Sequence, residues 1–176
     1  MAYFRCIGNK SSPTPGPTGY DYYVENIDLK RNSYLITDQE IFSSTNRTRS
    51  YQIDFKMLVE QASEAPFIGT NSNVTECNLE IFNTGSTSYI YLKKYTGSSG
   101  TALSQNIDNK DVTILYDGTT GTFTFKIDGT TIDTFTFSSL PSSTYNPSYL
   151  NVGRYVGGST YYFNGYCYYF GFKWLS

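Results

Sequence analysis

Histidine is absent from the 176 residues. Ser-His-Asp and Cys-His nucleophilic arrangements are therefore excluded, and so are His-ligated metal centres. Acid–base chemistry would fall to carboxylates, lysine or tyrosine. Cys6, Cys77 and Cys167 are odd in number and far apart. They form neither a disulfide framework nor a zinc site, and each reads as a small buried or half-buried apolar side chain. The nearest approach to paired carboxylates is Glu76-Cys-Asn-Leu-Glu80. Glu76, Asn78 and Glu80 would share one face of a strand, but any solvated strand face shows the same pattern. Asp108, Asp111, Asp117 and Asp133 fall in or near expected loops without forming a calcium-loop motif, and turn capping accounts for them. No metal or other cofactor is expected.

The richer signal is aromatic, with 18 Tyr and 12 Phe. An aromatic ring stacks on the apolar face of a pyranose, while Asn, Asp and Arg satisfy its hydroxyls. The expected loops supply Tyr95, Tyr145, Tyr149, Arg154, Tyr155 and Tyr161, and these six are the candidate carbohydrate-binding residues. Gly153 to Tyr161 is the densest stretch. Arg154 offers a planar five-donor fork suited to hydroxyl pairs or to the carboxylate of an acidic sugar. Tyr155 and Tyr161 offer stacking faces, and Gly157 and Gly158 allow close approach of the backbone. Ordinary surface or interface tyrosine is the competing explanation and the heavier one, although loops carry function more often than core strands do.

These residues need a framework, and the composition points to an all-β one. Only four Ala stand against 22 Thr, 20 Ser and 15 Gly, so strand and turn formers dominate. Expected strands cover 20–25, 33–37, 51–59, 66–69, 76–82, 88–95, 111–116, 122–127, 131–137, 149–153, 160–163 and 165–174. Short strands without helical interludes predict an antiparallel sandwich. Between Asp117-Gly118 and Asp128-Gly129, Phe123, Phe125 and Ile127 alternate with Thr122, Thr124 and Lys126, a half-buried strand. Beyond the second turn the parity slips, so either Ile132 faces out or a bulge lies near Asp133-Thr134. In the last strand, simple alternation places Tyr166, Tyr168, Phe170, Phe172 and Trp174 on one face. Residues 1–10 read as a short apolar strand or arm, and 11–19, with three Pro and two Gly, as a linker. The chain thus divides into an N-terminal segment, 1–19, separable from the fold, and one domain, 20–176. The net charge of −2 and the lack of a basic stripe argue against nucleic acid. No apolar run approaches the ~20 residues of a membrane span. The N-terminus lacks the features of a signal peptide.

Asp111 to Gly129, with Tyr149-Leu-Asn-Val-Gly153 and the closing Phe163 to Trp174, resembles the laminin-G-like branch of the concanavalin A-like lectin/glucanase superfamily. Ser33–Thr37 and Tyr51–Lys56 fit its early strands. The resemblance covers roughly 20–175 and implies an antiparallel jelly-roll β-sandwich. Glucanases of the superfamily carry Glu-x-Asp-x-x-Glu, and 76–80 lacks its central Asp and its spacing. Laminin-G-like domains often bind calcium at a rim, and no motif here supports that. The first nineteen residues resemble short tail or head-fibre proteins of bacteriophages. The resulting expectation is a non-enzymatic lectin-like module on a virion surface. It would bind cell-surface glycans, contact other virion proteins through residues 1–19 and form a homo-oligomer. A purely structural virion subunit is the alternative, and a glycoside hydrolase comes third.

Overall fold

The computed structural model describes residues 4–7, 17–29, 33–42, 45–46, 48–60, 68–70, 78–84, 87–93, 101–103, 105–136, 148–157 and 159–176. In the strands within 68–103 and 154–162 only the backbone is described. Every described element is a strand, and among these residues no helix is long and apolar enough to cross a membrane.

A six-stranded antiparallel sheet forms one layer. Its members are β2 (Tyr22–Leu29), β4 (Tyr51–Val59), β9 (Val112–Asp117), β10 (Thr122–Ile127), β11 (Thr130–Thr136) and β15 (Gly165–Trp174), in the order β11-β10-β9-β4-β15-β2. The second layer contains β1 (Phe4–Ile7), β3 (Tyr34–Phe42), β5 (Ile68–Thr70) and β12 (Ser148–Val152), in the order β1-β3-β12-β5. A three-stranded sheet, β6 (Asn78–Thr84), β7 (Thr87–Lys93) and β8 (Thr101–Leu103), and a ribbon, β13 (Arg154–Gly157) with β14 (Ser159–Tyr162), complete the described strands. The fold is an all-β jelly-roll sandwich, as the strand pattern predicts. β8 has no counterpart among the expected strands.

One apolar core joins the two large sheets. β4 buries Tyr51, Ile53, Phe55 and Met57 by simple alternation. β10 buries Phe123 and Phe125, and Ile127 packs on the core's margin. Asp128 and Gly129 both have positive φ (48° and 79°), as the two-residue hairpin turn between β10 and β11 requires. Phe125 pairs with Asp133 and Lys126 with Thr131, which leaves Ile132 as an extra residue. The parity slip after this turn is therefore a bulge at Ile132.

The N-terminal segment differs from expectation. Residues 4–7 are an edge strand of the second sheet, antiparallel to the chain's own β3. Phe4 is only 1% exposed, and its ring lies 5.4 Å from Tyr22 and 5.6 Å from Phe170 of the opposite layer. These residues contribute a core aromatic, so the expectation of a segment separable from the sandwich is corrected for Phe4–Ile7. The Pro/Gly stretch 11–16 lies outside the described residues.

Phe4→Ala removes a ring that bridges the layers, and a loss of about 3–5 kcal/mol is expected in urea unfolding. A loss below about 1 kcal/mol would return β1 to the role of a dispensable arm.

Candidate functional site

The stretch expected to be a flexible loop is a β-hairpin. Arg154 pairs with Tyr162, Tyr155 with Tyr161, Val156 with Thr160 and Gly157 with Ser159. Its base is tied to the sandwich: Phe163 is buried, and its N–H donates to the carbonyl of Gly153 at 2.9 Å. Gly153 (φ 88°) turns the chain from β12 into β13. Alternate residues of a ribbon belong to opposite faces. The Tyr155–Tyr161 pair and the Arg154–Tyr162 pair therefore occupy different faces, so the expected constellation of one Arg with two Tyr divides. Tyr149 lies in β12, half-buried, opposite Glu40 of β3, and not in a loop. Tyr95, Tyr145 and Glu76 lie outside the described residues, whereas Glu80 falls in β6.

A second tyrosine-rich surface lies on the outer face of the six-stranded sheet, and alternation alone did not find it. β15 buries Cys167, Phe170 and Phe172, while Tyr166, Tyr168 and Tyr169 are half-buried. Against β4, Cys167 pairs with Met57 but Tyr169 with Lys56, so β15 carries one extra residue at Tyr168. β2 carries a matching irregularity. Asn26 adopts φ 57°, and Val24 and Ile27, three residues apart, both enter the core. The bulge corrects the expected single face of Tyr166, Tyr168 and Phe170: the tyrosines turn outward and the phenylalanine inward. Tyr166 and Tyr168 meet edge to face at 5.0 Å, and the Tyr166 hydroxyl donates to Asn26 Oδ1 at 3.3 Å.

Asp54 anchors the middle of this face. It is 8% exposed and has three donors. The Tyr20 hydroxyl (2.9 Å) and Gln52 Nε2 (2.6 Å) donate to its Oδ2, and Thr113 Oγ1 (2.6 Å) donates to its Oδ1. Tyr20 reaches it across Gly171. A Cβ at Gly171 would stand 2.5 Å from the Tyr20 ring, so only glycine leaves room for this crossing. Lys173 Nζ lies 5.3 Å from the Tyr20 ring centroid, and the Tyr23 ring lies 5.4 Å away. In the next row Tyr169 donates to Asp111 Oδ1 at 2.9 Å, and Lys56 Nζ approaches Asp111 Oδ2 at 3.6 Å. Burial first, then the bond to Asp54, pushes the Tyr20 phenol up to about 12. Burial and the bond to Asp111 likewise raise the Tyr169 phenol.

Other expected chemistry resolves into structure. Asp117 accepts from the Thr119 N–H (2.8 Å) and the Thr120 hydroxyl (2.9 Å), as a turn cap does. Asp133 caps the N–H of Thr134. Cys167 is a buried free thiol whose pKa is raised by burial, the reverse of what a reactive thiolate requires. Among the described residues no three His, Cys, Asp or Glu side chains gather as a metal site would need.

No family model matches the chain, and no curated protein matches it in sequence. Solved structures match its shape. The CBM40 module of the Ruminococcus gnavus IT-sialidase, bound to alpha2,3 sialyllactose, is 13% identical over 90% of this chain and 95% of that one, with a TM-score of 0.64. The binding domain of botulinum neurotoxin DC, in complex with SialylT, is 17% identical over 99% of this chain and 44% of that one, with a TM-score of 0.60. The K499G NanB sialidase of Streptococcus pneumoniae is 15% identical over 86% of this chain and 26% of that one, with a TM-score of 0.57. These likenesses show a shared β-sandwich, and they do not single out the laminin-G-like branch.

Tyr20→Phe leaves Asp54 one donor short, and a loss of about 1–3 kcal/mol is expected in urea unfolding at neutral pH. The folded protein holds the Tyr20 proton more tightly than the unfolded chain does. That stabilisation is complete below the ordinary value of 10.0 and lost as pH rises toward about 12. Melting temperatures across this range should fall less steeply for Tyr20→Phe than for wild type. Parallel pH profiles would show that the bond to Asp54 does not hold Tyr20 in place.

Proposed function

We propose that this chain is a non-enzymatic module that binds cell-surface glycans through the outer face of its six-stranded sheet. One observation carries the reading. Half-buried rings of Tyr20, Tyr23, Tyr166, Tyr168 and Tyr169 stand on one face, interleaved with the hydrogen-bonded carboxylates Asp54 and Asp111 and with Lys56, which pairs with Asp111. Aromatic platforms beside fixed polar groups suit a ligand with one apolar and one hydroxylated side. Fold likeness to modules bound to sialyllactose and SialylT supports the class of role. Half-buried tyrosines lose little side-chain freedom on binding, which favours affinity.

The hairpin candidates Arg154, Tyr155 and Tyr161 form a second proposed contact, now as two faces of a ribbon. A bacteriophage virion surface is the proposed setting, supported by the resemblance of residues 1–19 to fibre proteins. In that setting the same face serves host attachment.

Labelled protein on a glycan array and on bacterial cell walls tests the reading. Wild type should bind, and Tyr168→Ala should weaken binding about 3–10-fold with an unchanged melting temperature. A purely structural subunit would bind no glycan as wild type, and the tyrosine changes would instead alter its elution in size-exclusion chromatography.

A further inference from the structure

The outer face of the six-stranded sheet continues beyond Asp54 into a depression of about 370 Å3 at the β9–β10 end. That volume falls within the roughly 300–1,000 Å3 of small-molecule sites. Leu115 and Leu175, both half-buried, give it an apolar floor. One wall is a line of hydroxyls: Thr120 Oγ1 lies 2.8 Å from Thr122 Oγ1, which lies 2.9 Å from Thr136 Oγ1. The line ends on Asp117, whose Oδ2 accepts from Thr120 at 2.9 Å.

That ending sets the polarity of the wall. A threonine hydroxyl has one proton and two lone pairs. Thr120 Oγ1 is the donor toward both Asp117 Oδ2 and Thr122 Oγ1, so its single proton is shared between them and Thr122 accepts. The lone pairs left over along the line, with those of the carboxylate, face a ligand as acceptors. The N–H of Thr119 and the hydroxyl of Thr120 hold the Asp117 carboxyl below its usual range, so it is an anion at neutral pH. Ser50 Oγ accepts from the N–H of Gly118 at 3.1 Å, which occupies that backbone donor and leaves the serine its own proton. Among the described residues no Lys or Arg lines the depression. Arg49, the neighbour of Ser50 in sequence, lies with its guanidinium 4.0 Å over the ring of Trp174.

A line of hydroxyls that ends on a fixed negative charge welcomes hydroxyl donors at Asp117 and repels a carboxylate. We infer that this depression is a subsite for an uncharged pyranose. The sugar's apolar face would rest on Leu115 and Leu175, and its hydroxyls would donate to Asp117, Thr120 and Thr122. The inference rests on the glycan-binding reading and deepens it, because it separates this chain from structural neighbours captured with an acidic sugar, sialyllactose.

The test is a glycan array printed with matched pairs of neutral and sialylated oligosaccharides, probed with wild type, Asp117→Asn and Thr124→Arg. Wild type should favour the neutral member of a pair by about tenfold or more. Asp117→Asn, which keeps the turn cap's acceptor oxygen, should shrink that preference. Thr124→Arg, which adds a cation at the wall, should move it toward the acidic member. A wild-type preference for sialylated members would overturn the inference while leaving glycan binding intact. Neutral binding that responds to Tyr168→Ala but to neither pocket variant would also overturn it, since the sugar would then lie elsewhere on the face. Binding to no glycan at all would defeat both this inference and the reading beneath it.

Discussion

One extra residue in the closing strand shapes the tyrosine-rich outer face of the large sheet. β15 is central, between β4 and β2, and must bury aromatics against the second sheet along its length. Strict alternation would send Cys167 and Phe170 to opposite sides. The bulge at Tyr168 brings both into the core and turns Tyr166, Tyr168 and Tyr169 outward. β2 accommodates it through Asn26 at φ 57°, so Cys167 still pairs with Ile27 and Phe170 with Val24. β4 runs through the same level without a bulge. Packing demand on one side of the sheet thereby produces a tyrosine surface on the other.

Asp54 ties that surface together. A nearly buried carboxylate is tolerable only with its lone pairs occupied. Tyr20, Gln52 and Thr113 supply donors from three separate segments, and Gly171 clears the path for Tyr20. The hairpin β13–β14 contrasts with this face. The hairpin is tied at its base by Phe163 and Gly153, and its residues divide between two faces of a ribbon.

Much of the fold was legible from residue order. The alternation of Phe123 and Phe125, the Asp128-Gly129 turn and the run from Tyr51 to Met57 all have their expected roles. Four features were hidden for physical reasons. A bulge changes parity without changing composition, so the inward and outward aromatics of β15 could not be sorted from their spacing. Phe4 is separated from its partners by a Pro/Gly stretch, and only long-range packing on Tyr22 and Phe170 makes it core. The glycines between Gly153 and Gly158 suggested a flexible loop, whereas cross-strand pairing makes most of that stretch a hairpin. The outer-face site escaped because Tyr20, Asp54, Thr113 and Tyr169 are distant in sequence and meet only through strand order.

The proposed contact of a glycan with the outer face of the six-stranded sheet can be read residue by residue. Amide chemical-shift mapping tests it most directly, by titrating isotope-labelled protein with a soluble neutral oligosaccharide that it binds. The perturbed amides should cluster on β4, β9 and β15, around Asp54, Leu115 and Tyr169, with the second sheet unmoved. Perturbations confined to β13–β14, or to β3 and β12 of the second sheet, would contradict it.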